Sequence, residues 1–269
     1  MSDAVWIDSH AHLSLFPRAE VPAVLARAAE AGVGGVLVPA SGPSDLAAVL
    51  DLGSSLAAQV VVAVGIHPHE ALALDGTLKR TLEQSLRGAG VVAVGEIGLD
   101  YHYMSSPRED QLRALAWQLD LAGELDLPVI LHNRESWADL EAVLTKRAGR
   151  LRGVCHSFCE GPDEARRAVE LGLVLGVSGM VTFGWADRIR QAARAVGPER
   201  LLVETDSPYL APVPHRGRRN EPAFVSLVGE RLATELSVDP GQLRAATTRS
   251  VRELFRLPDE WPGTAVPVS

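Results

Sequence analysis

Residues 5–13, VWIDSHAHL, place two histidines two positions apart at the end of an apolar run. Val5, Trp6 and Ile7 read as a buried strand. Side chains at i and i+2 of a strand leave on the same face, so His10 and His12 project together. Two neutral imidazoles so placed can grip one cation through their ring nitrogens. Asp8 shares their parity one pleat deeper. It either orients a histidine as a carboxylate partner or is a buried aspartate paired for structural reasons.

Seven further strand candidates follow: GGVLVPA (34–40), VVVAVGI (60–66), GVVAVGE (90–96), PVILH (128–132), RGVCH (152–156), LVLGVS (173–178) and RLLVETD (200–206), with AVWID (4–8) as the first. Helical patterns separate them, among them EVPAVLARAAEAG, PSDLAAVLDLGSSLA, REDQLRALAWQLDLAGELD, ESWADLEAVLTKRAG and GPDEARRAVELG. Gly32 and Gly172 stand where helices stop, and Pro107 and Pro162 where first turns begin. The acidic residues of SPRED suit the positive end of a helix dipole. Nearly continuous apolar strands alternating with helices indicate a parallel sheet covered on both faces. The reading is an α/β fold, a (β/α)8 barrel of TIM type, with a doubly wound open sheet as the alternative. It is a single domain over residues 1–269, with 257–269 a loosely packed tail.

At 269 residues, with 46% hydrophobic and 22% charged side chains, the chain has an ordinary globular balance and enough material for one such barrel. Aromatic residues are 5%, so Val, Leu and Ala fill most of the core. The net charge of −8 argues against a surface that attracts polyanions everywhere, though not against one local site. Cys155 and Cys159 form no disulfide framework and read as reduced thiols of a cytoplasmic protein. No secretory signal and no apolar stretch of about 20 residues is visible, so a soluble protein with no membrane partner is expected.

In such barrels the active site lies at the carboxyl ends of the strands. His10 and His12 close the first strand, His67 follows the third, Glu96 ends the fourth, His132 the fifth, His156 the sixth and Asp206 the eighth. A glutamate ending an apolar strand is costly to bury unless paired, and its two oxygens can bridge two cations. Gly95 and Gly98 would let backbone or ligand approach closely. Glu204 has the parity of Asp206 and points inward beneath it, as a partner of another side chain or as a proton acceptor.

The segments DSHAHL, VGIHPHEA, VGEIGLDYH, PVILHNRES, GVCHSF and LLVETDSPYLAPVPHRGRRNEP together resemble the TatD-like metal-dependent deoxyribonucleases, within the wider amidohydrolase-type barrels. They occur in family order and span most of the chain. The resemblance implies a hydrolase with a binuclear centre of two divalent metal ions. His10, His12, Glu96 and Asp206 would hold one, and Glu96, His132 and His156 the other. It implies that His67 contacts the substrate phosphate, and Arg134 is placed to do likewise with a two-pronged donor. Zinc or manganese suits the ligand types, and magnesium stays compatible with phosphate substrates.

Two cations would clamp a phosphodiester and lower the pKa of a water between them. Asp206 is expected to orient that water or accept its proton, with Glu96, His67 and Glu204 as the other catalytic candidates. His67 is a candidate to protonate the leaving oxygen. Arg216, Arg218 and Arg219, in the loop after the eighth strand, answer the acidic balance locally. Tyr101 and Tyr103, with Trp137 and Trp185, could stack on unpaired bases. The expected activity is exonucleolytic hydrolysis of DNA at single-stranded or frayed ends, without an obligate protein partner. Alternatives are the same centre acting on another bond, as a D-aminoacyl-tRNA deacylase or an amide or ester hydrolase, and a silent metal-binding scaffold.

Overall fold

The computed structural model describes residues 5–263. Eight strands pair in parallel in sequence order: β1 (Trp6–Asp8), β2 (Val33–Pro39), β3 (Val60–Val64), β4 (Val91–Asp100), β5 (Val129–Arg134), β6 (Gly153–Cys155), β7 (Leu173–Val177) and β8 (Leu201–Val203). Helices α1 (Val21–Glu30), α2 (Leu46–Ser55), α3 (Gly76–Ser85), α4 (Arg108–Leu125), α5 (Trp137–Thr145), α6 (Pro162–Glu170), α7 (Asp187–Val196) and α8 (Val225–Leu236) follow them in turn, and α9 (Pro240–Phe255) comes last.

The segments just beyond β8 and β1 close the ring. Ser9 N–H donates to Val203 O at 3.0 Å, Asp206 N–H to His10 O at 2.9 Å and His12 N–H to Ser207 O at 2.7 Å. Sequential order plus this closure makes a (β/α)8 barrel and rules out the open doubly wound sheet. Asp8 belongs to the same seam. Its carboxylate accepts from Thr205 N–H at 2.9 Å and Thr205 Oγ1 at 2.6 Å, and from His10 N–H at 3.3 Å. Of its two expected roles it takes the structural one, and it touches no imidazole through these bonds.

Strand alternation divides the core. Ile7, Leu37, Val61, Ala63, Ala93, Ile130, Val154, Val174 and Leu202, drawn from all eight strands, form one cluster. Val251, Leu254, Phe255, Leu257 and Trp261 join it and plug one end of the barrel from α9 onward. The opposite parity, with Trp6, Val62, Leu131 and Val203, packs against the helices. The expected loose tail is therefore corrected as far as Gly263. Trp261 is 6% exposed, its ring lies against Gly35, and Gly263 N–H donates to Ala58 O at 2.8 Å. Residues 264–269 of that tail, and Ala4 of the first strand, lie outside the described residues.

The ends of β4 and β8 differ from the sequence reading in ways that bear on the site. β4 runs four residues past Glu96 because Ile97–Asp100 pair with Leu131–Arg134 of β5. Glu96 is thus inside the strand, at a register shift between Val94 and Ile97. That shift brings Glu96 to the interior although it is three residues beyond the interior Ala93. β8 stops at Val203 because the chain turns into the seam with β1. Gly32 and Gly172 adopt the positive φ of helix stops, as read from the sequence. No helix among the described residues is long and apolar enough to cross a membrane.

Candidate metal centre

A cavity of about 680 Å3 opens at the carboxyl ends of the strands. Glu96 stands at its base, 2% exposed. Its two oxygens face different partners. Oε1 lies 2.9 Å from His132 Nδ1, 2.9 Å from His156 Nε2 and 3.5 Å from His67 Nε2. Oε2 lies 3.3 Å from His10 Nε2 and 3.7 Å from His12 Nε2. Asp206 completes the second side, with Oδ1 3.5 Å from His12 Nε2 and 3.8 Å from His10 Nε2.

The backbone explains why these side chains converge. His67, His132 and His156 continue the interior parity of Ala63, Ile130 and Val154 to the strand ends. His10, His12 and Asp206 come from the closing seam, where Asp206 adopts a left-handed φ of 57° that side-chain-bearing residues seldom take. Gly98 is required by close approach: at φ +146°, an added Cβ would lie 2.0 Å from His132 O. Gly95 faces the Ile130 side chain, so both glycines admit protein, where the sequence had left a ligand open.

The donor set fits metal ions. His10 Nε2 and His12 Nε2 approach to 3.2 Å, while both buried Nδ1 atoms have no hydrogen-bond partner. A neutral imidazole carries one N–H and one lone pair, so with each proton on Nδ1 a cation between the Nε2 atoms takes both lone pairs at once. Three groups of ligand atoms lie close enough to share an ion: His10–His12–Asp206, His10–Glu96–His156 and His67–Glu96–His132. Glu96 occurs in two of them.

Electrostatics points the same way. Burial opposes a charge on Glu96, yet His156, His67 and His10 around it hold its pKa well below the usual carboxylate range. Burial likewise opposes charge on Asp206, and the His12 hydrogen bond and nearby imidazoles outweigh it, lowering its pKa. Burial disfavours protonation of His156, but Glu96 and Glu204 raise its pKa well above the ordinary value. His132 is raised too, its burial overcome by the hydrogen bonds it donates to Asp100 and Glu96. These carboxylates call for positive charge. His10 and His67 run the other way: burial lowers both, His67 to about 3, so that ring is neutral.

Carboxylates behind the histidines set their orientation. Asp100 Oδ2 lies 3.3 Å from His132 Nε2 and 2.8 Å from His69 Nε2. Glu204 is fully buried; its Oε1 accepts from Ser157 N–H at 2.5 Å and lies 3.4 Å from His156 Nδ1. That contact is close enough for charge but not aligned as a hydrogen bond. Each carboxylate favours a proton on the ring nitrogen that faces it, leaving the opposite nitrogen's lone pair for an ion.

Several expected site residues stand apart. Glu204 does not line the cavity; it sits behind His156. Arg216 stacks over the Phe183 ring at 4.1 Å. Arg219 pairs with Glu20 at 2.7 Å, over the Phe16 ring. Neither they nor Arg218 line the cavity, because the β8 loop folds outward over its neighbours. Tyr101 turns away as well, with its hydroxyl donating to Asp139 at 2.5 Å. Trp137 packs on Phe158, and the exposed Trp185 on Phe183. Arg134 does line the cavity, its guanidinium 4.6 Å from the Tyr103 ring.

Sequence reasoning missed His69, Asp100 and Tyr209, which also line the cavity. A signal existed for two of them. His69 repeats the H-x-H spacing after His67, and Asp100 stands four residues past Glu96 in an otherwise apolar run. Tyr209 carried none.

A (β/α)8 barrel with this histidine–carboxylate cluster at its carboxyl rim defines a metal-dependent hydrolase. Residues 7–256 match the family model described as TatD related DNase. The chain is 37% identical over 259 residues to the uncharacterized metal-dependent hydrolase YcfH of Escherichia coli strain K12, covering 93% of this chain and 96% of that protein. It is 36% identical over 247 residues to the 3'-5' ssDNA/RNA exonuclease TatD of Edwardsiella piscicida, covering 88% and 94%. The crystal structure of YJJV, a TatD homolog from Escherichia coli K12, superposes with a TM-score of 0.89 at 34% identity, covering 94% of this chain and 98% of that one. The protein belongs to the TatD family.

Proposed function

We propose that the protein is a 3'-5' exonuclease that hydrolyses phosphodiester bonds at the ends of single-stranded nucleic acid. The observation that carries this reading is the split of the Glu96 carboxylate between two groups of imidazoles, beside an arginine in an open cavity. Polarity and strandedness follow the relatives named 3'-5' ssDNA/RNA exonuclease, from Edwardsiella piscicida and Pectobacterium parmentieri. His10, His12, Glu96 and Asp206 would hold one divalent ion, and Glu96, His132 and His156 a second. Such ions supply charge neutralisation at the phosphodiester and an attacking water of lowered pKa.

The side chains divide the remaining work. Asp206, kept ionised, is placed to accept the proton of the attacking water. His67 Nδ1 accepts from His69 N–H at 3.1 Å, so in the neutral ring Nε2 carries the proton and faces the cavity. That N–H is a hydrogen-bond donor to a phosphoryl oxygen. A neutral imidazole is a weak acid, so delivery of a proton to the leaving oxygen is not assigned to it. Arg134 offers a planar pair of donors to the same phosphate. Residues 1–269 act as one domain in this scheme, with Glu204 and Asp100 steadying His156 and His132.

Digestion of end-labelled single-stranded DNA by metal-stripped protein tests the proposal, with magnesium, manganese or zinc restored separately and Glu96→Ala in parallel. A metal-dependent ladder growing from the 3' end, absent in the variant, is expected. Intact DNA with every metal would overturn the nuclease reading and direct attention to aminoacyl-tRNA and simple esters.

A further inference from the structure

Two tyrosines stand at the cavity rim on loops that the barrel sets opposite each other. Tyr103 follows β4 and Tyr209 follows β8, four strands apart in a ring of eight. Both line the cavity, and they keep 58% and 55% of their surface exposed. Neither exposure is explained by packing, in contrast to Tyr101.

Both loops are tied to the centre. Tyr103 N–H donates to Asp100 Oδ1 at 2.9 Å, and Asp100 abuts His132. Tyr209 N–H donates to Asp206 O at 2.9 Å, and its carbonyl accepts from the buried Asn220 Nδ2 at 2.6 Å. Glu96 lies between the two loops, in contact with His132 on one side and with His10 and His12 on the other. The surroundings of the rings differ. Arg134 covers part of Tyr103, whereas Leu15 and Leu210 line the cavity on the Tyr209 side.

We infer that the two tyrosines stack the two bases flanking the scissile phosphodiester, one base on Tyr103 and the other on Tyr209. The inference rests on the nuclease reading above and narrows its substrate to a step between two unpaired, splayed nucleotides. A phosphodiester centred over Glu96 sends its two nucleosides toward opposite walls. Bases in a duplex stack on each other and pair across the helix, so they cannot reach both walls together. Stacking on an aromatic face accepts any base, which predicts little sequence preference.

Short single strands carrying one abasic residue test this, with the gap placed at the 3'-terminal or the penultimate nucleotide and compared with the fully based strand. The wild type should lose kcat/KM by roughly five- to 150-fold at each position, the range for one base on one aromatic ring. Tyr103→Ala should abolish sensitivity to one of the two gaps and Tyr209→Ala sensitivity to the other, while Phe at either position retains it. Both side chains are more than half exposed, so thermal unfolding should barely change. Equal wild-type rates on based and abasic strands would overturn the inference and leave the nuclease reading intact. So would an alanine variant that slows every strand equally. If the wild type cuts no strand with any metal, the nuclease reading itself fails.

Discussion

Glu204→Gln separates a residue that positions His156 from one that takes part in the chemistry. The carboxylate is fully buried, and Oε2 has no hydrogen-bond partner. Oε1 accepts from Ser157 N–H at 2.5 Å and lies 3.4 Å from His156 Nδ1. Glutamine can keep an oxygen for Ser157, but it removes the charge that favours a proton on Nδ1. The Nε2 lone pair, 2.9 Å from Glu96, is then no longer the enforced choice. Loss of a partner of this kind weakens metal binding about 10- to 100-fold, which is about 1.4–2.8 kcal/mol at 1.4 kcal/mol per tenfold. Competition with a chromophoric chelator measures the affinity, and activity is then followed at rising metal concentration. Weaker binding with activity recovered in excess metal is expected. Unchanged affinity with a collapsed kcat would refute the positioning role and make Glu204 a proton acceptor after all.

Trp261→Ala should cost about 3–5 kcal/mol in urea or thermal unfolding, because it empties the plug against Gly35; a loss below about 1 kcal/mol would show that the plug does not hold the barrel. Gly98→Ala should displace the β5 backbone at His132, since its Cβ has 2.0 Å to the carbonyl oxygen; native circular dichroism with full metal content would contradict this. Burial and Asp139 push the Tyr101 hydroxyl up to about 12. Its folded pKa exceeds the unfolded value, so the contact stabilises fully below about pH 10 and is lost as pH rises through about 12. In an ultraviolet titration one of the three tyrosines should ionise late, and Asp139→Asn should bring it back; three indistinguishable tyrosines would sink the assignment.

The barrel was legible because strand and helix periods alternate cleanly and glycines and prolines mark the helix ends. The clustering of histidines and carboxylates at one rim was legible for a related reason: in a chain whose strands are otherwise Val, Leu and Ala, a histidine or glutamate at a strand end has no packing purpose. What sequence could not supply was the direction of a loop. Arg216 and Arg219 share the loop after β8 with Tyr209, yet they fold back onto Phe183, Phe16 and Glu20. Tyr101 and Tyr103 differ by two positions, and only the second reaches the cavity, because Asp139 captures the first. Strand parity alone does not account for Glu96 and His10, each three residues beyond an interior residue; a register shift in β4 and the seam between the β1 and β8 ends redirect the chain there.

On the proposed nuclease reading, charge within the cavity decides how an acidic protein takes a polyanion. The lining holds five carboxylates, Asp45, Glu70, Glu96, Asp100 and Asp206, against one arginine, Arg134. With neutral histidines the deficit is four positive charges, which two divalent ions supply. Without them, protons on His12, His132 and His156, whose pKa values are raised, offset at most three of those four charges. A phosphodiester entering the cavity then still meets a net negative wall at short range, where salt screens poorly. The arginine-rich loop cannot compensate, since it does not line the cavity. On the proposed nuclease reading, metal therefore binds before nucleic acid. Fluorescence anisotropy with a phosphorothioate single strand, which resists cleavage, reads this directly: the metal-free protein should show little binding, and affinity should rise as metal is added up to about two ions per chain. Equal affinity with and without metal would break the argument. Saturation at one ion per chain would leave Glu96 bridging nothing, and the split of its two oxygens between two sets of imidazoles would need another cause.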